Sequence, residues 1–92
     1  MKNIWIIGAT TGIGKSLAEL FASQGHNVAI SGRNQNRLDE LLTSFPNGDH
    51  ISASMDVCKV SQIQKASKII FSQWNKIDQV IFFAGISTNE NS

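Results

Sequence analysis

Short unbroken apolar runs alternate along the chain with longer stretches in which apolar residues recur every three or four positions. Ile4 to Ile7 is a continuous β-favouring run, the pattern of a strand covered on both faces. Leu17, Leu20, Phe21 and Gln24 fall on one helical stripe that ends at Gly25, a residue suited to the left-handed exit from a helix. Val28 to Ile30 reads as a second short strand. Leu38, Leu41, Leu42 and Phe45 return at helical spacing and stop before Pro46, whose ring cannot continue the hydrogen-bond ladder. A third strand is predicted between His50 and Met55, and a third helix on Val60, Ile63, Ser67, Ile70 and Trp74. The run QVIFFAG, Gln79 to Gly85, predicts a fourth strand, after which ISTNENS is polar and unpatterned.

This strict order of strand and helix, with short connections, predicts an α/β fold: an open parallel sheet with helices on both faces. Right-handed crossovers and one reversal after the third strand give the sheet order 3-2-1-4. Residues 1–85 then form a Rossmann-like half-domain and 86–92 a polar tail. A ligand in such a sheet sits at the reversal point, beyond the carboxyl ends of strands one and four.

Composition narrows the range of partners. The 92 residues carry a formal net charge of +1 with no run of like charges, so there is no electrostatic footprint for nucleic acid or an anionic membrane. The four apolar residues after Asn3 are too few for a secretory signal, and no stretch is long enough to span a bilayer. The single cysteine, Cys58, cannot form an internal disulfide, which fits a reducing, cytoplasmic setting; its expected place is partly buried. His26 and His50 are expected on surface loops rather than as ligands, and no metal site is expected.

The chemistry concentrates in GATTGIGKS, Gly8 to Ser16, which fits two patterns. From Ala9 it approximates the triphosphate loop G-x-x-x-x-G-K-[ST], with Ala in place of the first Gly. Lys15 and Ser16 suit phosphate and magnesium, and Asp56 offers the second-strand acid, but no water-positioning or arginine-finger element follows. From Gly8 it is G-x-x-x-G-x-G, a turn that seats a dinucleotide. Gly8 can make the tight turn off the strand, Gly12 can let the backbone approach a pyrophosphate, and Gly14 can allow close packing of helix on sheet. The N–H groups opening the next helix would face the negative charge.

The end of the second strand, AISGRN, discriminates further. NAD-binding units place an acid there for the ribose 2′-OH. Here Gly32 leaves room and Arg33 offers a forked cation for a 2′-phosphate, so NADP(H) is favoured over NAD, against the alternative of Arg33 as a solvated surface residue.

GATTGIG after the first strand, SGRN after the second, MDV after the third and AG after the fourth together resemble the N-terminal part of the short-chain dehydrogenase/reductase family. The resemblance implies a Rossmann-fold oxidoreductase. It also implies that Thr10, Thr11 and Ile13 contact the cofactor beside the glycines, that Asp56 and Val57 border the adenine, and that Ala84 and Gly85 approach the ribose. Asp56 is equally suited to cap the following helix.

Two departures from the family qualify this. Phe82 and Phe83 stand where a polar residue, often Asn, is usual, so a hydrogen bond tying the central strand together is expected to be lost or rerouted. The family's catalytic Ser and Tyr-x-x-x-Lys fall beyond these residues, and the sequence has no tyrosine to act as acid and base. No catalytic residue is therefore assigned, and the expectation is an NADP(H)-binding portion of an oxidoreductase, inactive by itself. The alternatives are a non-catalytic nucleotide-binding module or a phosphate-loop NTPase. An apolar fourth strand without an outer neighbour is also expected to self-associate through Val80 to Phe83.

Overall fold

The computed structural model describes residues 1–9 and 12–83. Their elements run β1 (Asn3–Ile7), α1 (Gly12–Ser23), β2 (Asn27–Ser31), α2 (Gln35–Thr43), β3 (Ile51–Ser52), α3 (Val60–Trp74) and β4 (Gln79–Phe82). The strands form one parallel sheet in the order β3-β2-β1-β4. This is the predicted topology.

Alternation along the strands sorts the core into two layers. Ile4 and Ile6 of β1 and Val28 and Ile30 of β2 point to one face, where Ala18 and Ala22 of α1 and Leu38 and Leu41 of α2 cover them. Trp5, Ile7 and Ala29 point to the other, beneath Ala66, Ile70 and Trp74 of α3. Burying each large aliphatic side chain is worth about 1.5–3 kcal/mol, so the two middle strands anchor the fold. Both have four buried residues in five, as a two-sided strand requires.

Two helix ends follow from single residues. Gly25, at φ 92°, takes the left-handed exit after α1, and Asn75, at φ 63°, does the same after α3. Asn34 caps α2, its side-chain oxygen accepting from Arg37 N–H.

Four expectations need correction. The buried stripe of α1 is Gly14, Ala18 and Ala22; Leu17 and Phe21 flank it, while Leu20 and Gln24 are exposed. The helix lies so close to the sheet that only the smallest side chains fit between them. Val60, at the start of α3, is 68% exposed. Cys58 is exposed, because it sits in the turn before α3 rather than on its inner face. Finally, β4 is not covered on both faces: Ile81 reaches the α1 layer, but Val80 and Phe82 lie on the α3 side, where α3 packs over β1, β2 and the β3 segment instead.

No helix among the described residues is long and apolar enough to cross a membrane.

Candidate functional site

The carboxyl ends of the strands are joined by main-chain hydrogen bonds. Gly8 N–H donates to the Ser31 carbonyl at 2.8 Å and Ala9 N–H to the same oxygen at 3.3 Å. Met55 N–H donates to Gly32 O at 2.8 Å, and Phe83 N–H to Ile7 O at 2.9 Å. The glycine turn, the Gly32–Arg33 corner, the Asp56–Val57 segment and the end of β4 therefore line one rim of the sheet, at the reversal point.

The three glycines of the turn have different surroundings. Gly8, at φ 89°, turns the chain sharply off β1, in a conformation that costs a residue with a Cβ. Gly12, at φ 60°, opens α1 with no atom within 4 Å of where a Cβ would stand, so its face is open to a ligand. Gly14 is the reverse case: a Cβ there would collide with the Gly8 carbonyl oxygen. The helix can approach the strand only because this position has no side chain. Its first N–H groups lack helical partners and meet the positive end of the dipole at the open face of Gly12. This cradle fits a diphosphate.

Around it, Ile13 is 66% exposed on the first turn of α1. Arg33 is exposed, and the one ion pair among the described residues joins Lys76 to Asp78 at the opposite end of the sheet, leaving the Arg33 guanidinium free for an anion. Lys15, which a triphosphate loop would direct at its ligand, instead lines a groove between α1 and α2 with Glu19, Arg37 and Glu40. Asp56 does not cap α3, whose cap position is Lys59. Its carboxylate accepts from Cys58 N–H at 2.9 Å and its own N–H donates to Gln62 Oε1 at 2.8 Å, which folds the segment into a compact turn on the rim. Val57 is half-buried against the Trp5 layer. Phe83 packs against the Ile4 layer while its main chain continues the ladder, so packing occupies the place of a polar side chain. Thr10, Thr11, Ala84 and Gly85 lie outside the described residues, as does the 86–92 tail.

One pair was not foreseen. Trp5 Nε1–H donates to Ser31 Oγ at 2.8 Å inside the α3 layer, immediately under the turn. A lone Ser ending an apolar run was the available signal. No group of three or more His, Cys, Asp or Glu side chains suited to a metal occurs among the described residues.

The model of the short chain dehydrogenase family matches residues 2–92. The chain is similar to carbonyl reductase family member 4 of Danio rerio, 29% identical over 82 residues that make up 89% of this chain and 35% of that protein. It is similar also to the NADP-dependent 3-hydroxy acid dehydrogenase YdfG of Shigella flexneri, 32% identical over 84 residues, 91% of this chain and 34% of that one. A crystal structure of a short chain dehydrogenase from Bacillus anthracis superposes with a TM-score of 0.78 at 34% identity, covering 86% of this chain and 34% of the other. The chain thus spans about a third of the length of the relatives it matches.

Proposed function

The chain belongs to the short-chain dehydrogenase family, and from that premise we propose that it is the NADP(H)-binding N-terminal portion of a nicotinamide-dependent oxidoreductase. The observation that carries this is the glycine turn: an open face at Gly12, a helix brought close by Gly14, and on the neighbouring strand end an exposed Arg33 that makes no ion pair among the described residues.

In this reading Gly8, Gly12 and Gly14, with Thr10, Thr11 and Ile13, hold the pyrophosphate and its flanking sugars. Arg33 takes the 2′-phosphate as a charge-assisted, forked donor, and no acid stands beside it to repel that group. Asp56 and Val57 border the adenine, and Ala84 and Gly85 the ribose. The bound nicotinamide would exchange hydride with a substrate. These residues bind and orient it, and with no tyrosine in the sequence they supply no acid or base for the transfer, so the chain alone is inactive. The name of the YdfG relative supports the NADP preference. The lone cysteine supports a cytoplasmic setting.

Titration with NADPH, NADH and ATP-Mg, followed by tryptophan emission, tests this: NADPH should bind tightest. ATP-Mg binding with hydrolysis would replace this reading with a phosphate-loop one.

The same proposal extends to assembly. We propose that these 92 residues, taken by themselves, self-associate through this edge: among the described residues β4 pairs only with β1, and Val80 and Phe82 are 53% and 58% exposed. Sedimentation should show a concentration-dependent dimer or larger species. A clean monomer at high concentration would refute it.

A further inference from the structure

Ser31 is the one buried polar residue among the described residues, at 0% exposure. It ends β2 between Ile7 of β1 on one side and the Ala53–Met55 segment on the other, whose amides donate to Ile30 O and Gly32 O. Three hydrogen bonds meet on it: its carbonyl oxygen takes the Gly8 and Ala9 amides, and its hydroxyl takes the Trp5 indole. The register pairs Ile7 with Ser31 and Trp5 with Ala29, so the indole crosses diagonally to Ser31 on the α3 side of the sheet. Trp5 is itself fixed, 5% exposed within the Ile7, Ile70 and Trp74 layer. A hydroxyl in such a layer must be hydrogen-bonded to be tolerated, and the indole N–H has the same need. Each satisfies the other, and the end of β2 is held by a side chain as well as by the ladder.

We propose that Ser31 is a positioning residue for the cofactor: its hydroxyl, anchored by Trp5, fixes the carbonyl on which the first two amides of the glycine turn rest. Its bearing on cofactor affinity rests on the dinucleotide reading above, whereas the anchor itself does not.

Site-resolved amide exchange at Gly8 and Ala9 and NADPH titration, on the wild-type chain and four variants, separate the two. Ser31→Ala and Trp5→Phe should each speed exchange at Gly8 and Ala9 relative to Ile6 and Val28, and weaken NADPH binding, by about fivefold, the equivalent of one net hydrogen bond. Ser31→Thr, which keeps the hydroxyl, should restore both. Ile51→Val, an apolar trimming in the same layer, should lower stability while leaving turn exchange and affinity as they were. Trp5→Phe carries the measurement if Ser31→Ala does not fold. Unchanged exchange at Gly8 and Ala9, or equal acceleration in Ile51→Val, overturns the anchor whatever the wild type binds. Accelerated exchange with unaltered NADPH affinity overturns the positioning role. A wild type that binds neither NADPH nor NADH, with the exchange response intact, overturns the cofactor reading and leaves the anchor standing.

Discussion

At the amino ends of the strands, a set of side chains reinforces the main-chain bonds from Asn27 N–H to Lys2 O and from Asp78 N–H to Asn3 O. Asn27 Nδ2 donates to Asn3 Oδ1, Asp49 N–H to Asn27 Oδ1, and Val28 N–H to His50 Nδ1. Asn3 reaches on to Lys76 O and, through its N–H, to the Asp78 carboxylate, while Gln73 and the Trp74 indole both close on Asp49. At the carboxyl ends the strands meet main chain to main chain, through Gly8 to Ser31, Met55 to Gly32 and Phe83 to Ile7. A belt of side chains secures one end, while the other closes mainly through its main chain, with the buried Trp5–Ser31 pair added to it. The carboxyl rim can then carry glycines and exposed side chains, which cost stability and, in the function proposed, serve a ligand.

The hardest break of this division is Gly14→Ala. The new methyl must displace the Gly8 carbonyl, so we expect a loss of about 1–3 kcal/mol in urea unfolding, as for other overpacked sites. NADPH affinity should fall more than tenfold, since the turn itself moves. Next, Arg33→Ala should weaken NADPH by about tenfold or more, the worth of a hydrogen bond to a charged group, while NADH binding and thermal stability stay level. Equal loss for both cofactors would assign Arg33 to general attraction rather than to the 2′-phosphate.

The belt should respond in the opposite sense. Asn27→Ala removes two side-chain hydrogen bonds and should cost about 1–2 kcal/mol, lowering the melting temperature by several degrees while NADPH affinity is retained. The smallest effect is a pH dependence at Asp78. The Asn3 N–H, and then the Lys76 ammonium, hold its carboxyl below the usual aspartate value of about 4. A lowered folded value means that its contribution is present above about pH 4 and is lost as pH falls through the folded pKa. Asp78→Asn should therefore flatten the acid limb of the stability curve below about pH 4 and leave cofactor binding unmoved. An unaltered acid limb would remove Asp78 from the belt.

The sequence made legible what depends on local conformation. β1 and β2 were readable because two-sided burial demands unbroken Ile and Val, and Gly8, Gly12 and Gly25 because positive φ demands glycine. What depends on distance between elements was not. Periodicity puts the α1 stripe on Leu17, Leu20, Phe21 and Gln24, yet close packing selects Gly14, Ala18 and Ala22. The belt residues Asn3, Asn27, Asp49 and Gln73 lie far apart in the chain with no periodicity to connect them. Trp5 and Ser31 stand 26 residues apart and meet only through the register of β1 with β2.

The two tryptophans share the α3 layer, yet their indole nitrogens are tied at opposite ends of the sheet, Trp5 to Ser31 Oγ and Trp74 to the Asp49 carbonyl. Nature has thereby built two optical gauges into one molecule, one beside the glycine turn and one inside the belt. Replacing either with phenylalanine leaves the other to report its own end, so local loosening can be timed separately at the two poles without any attached dye.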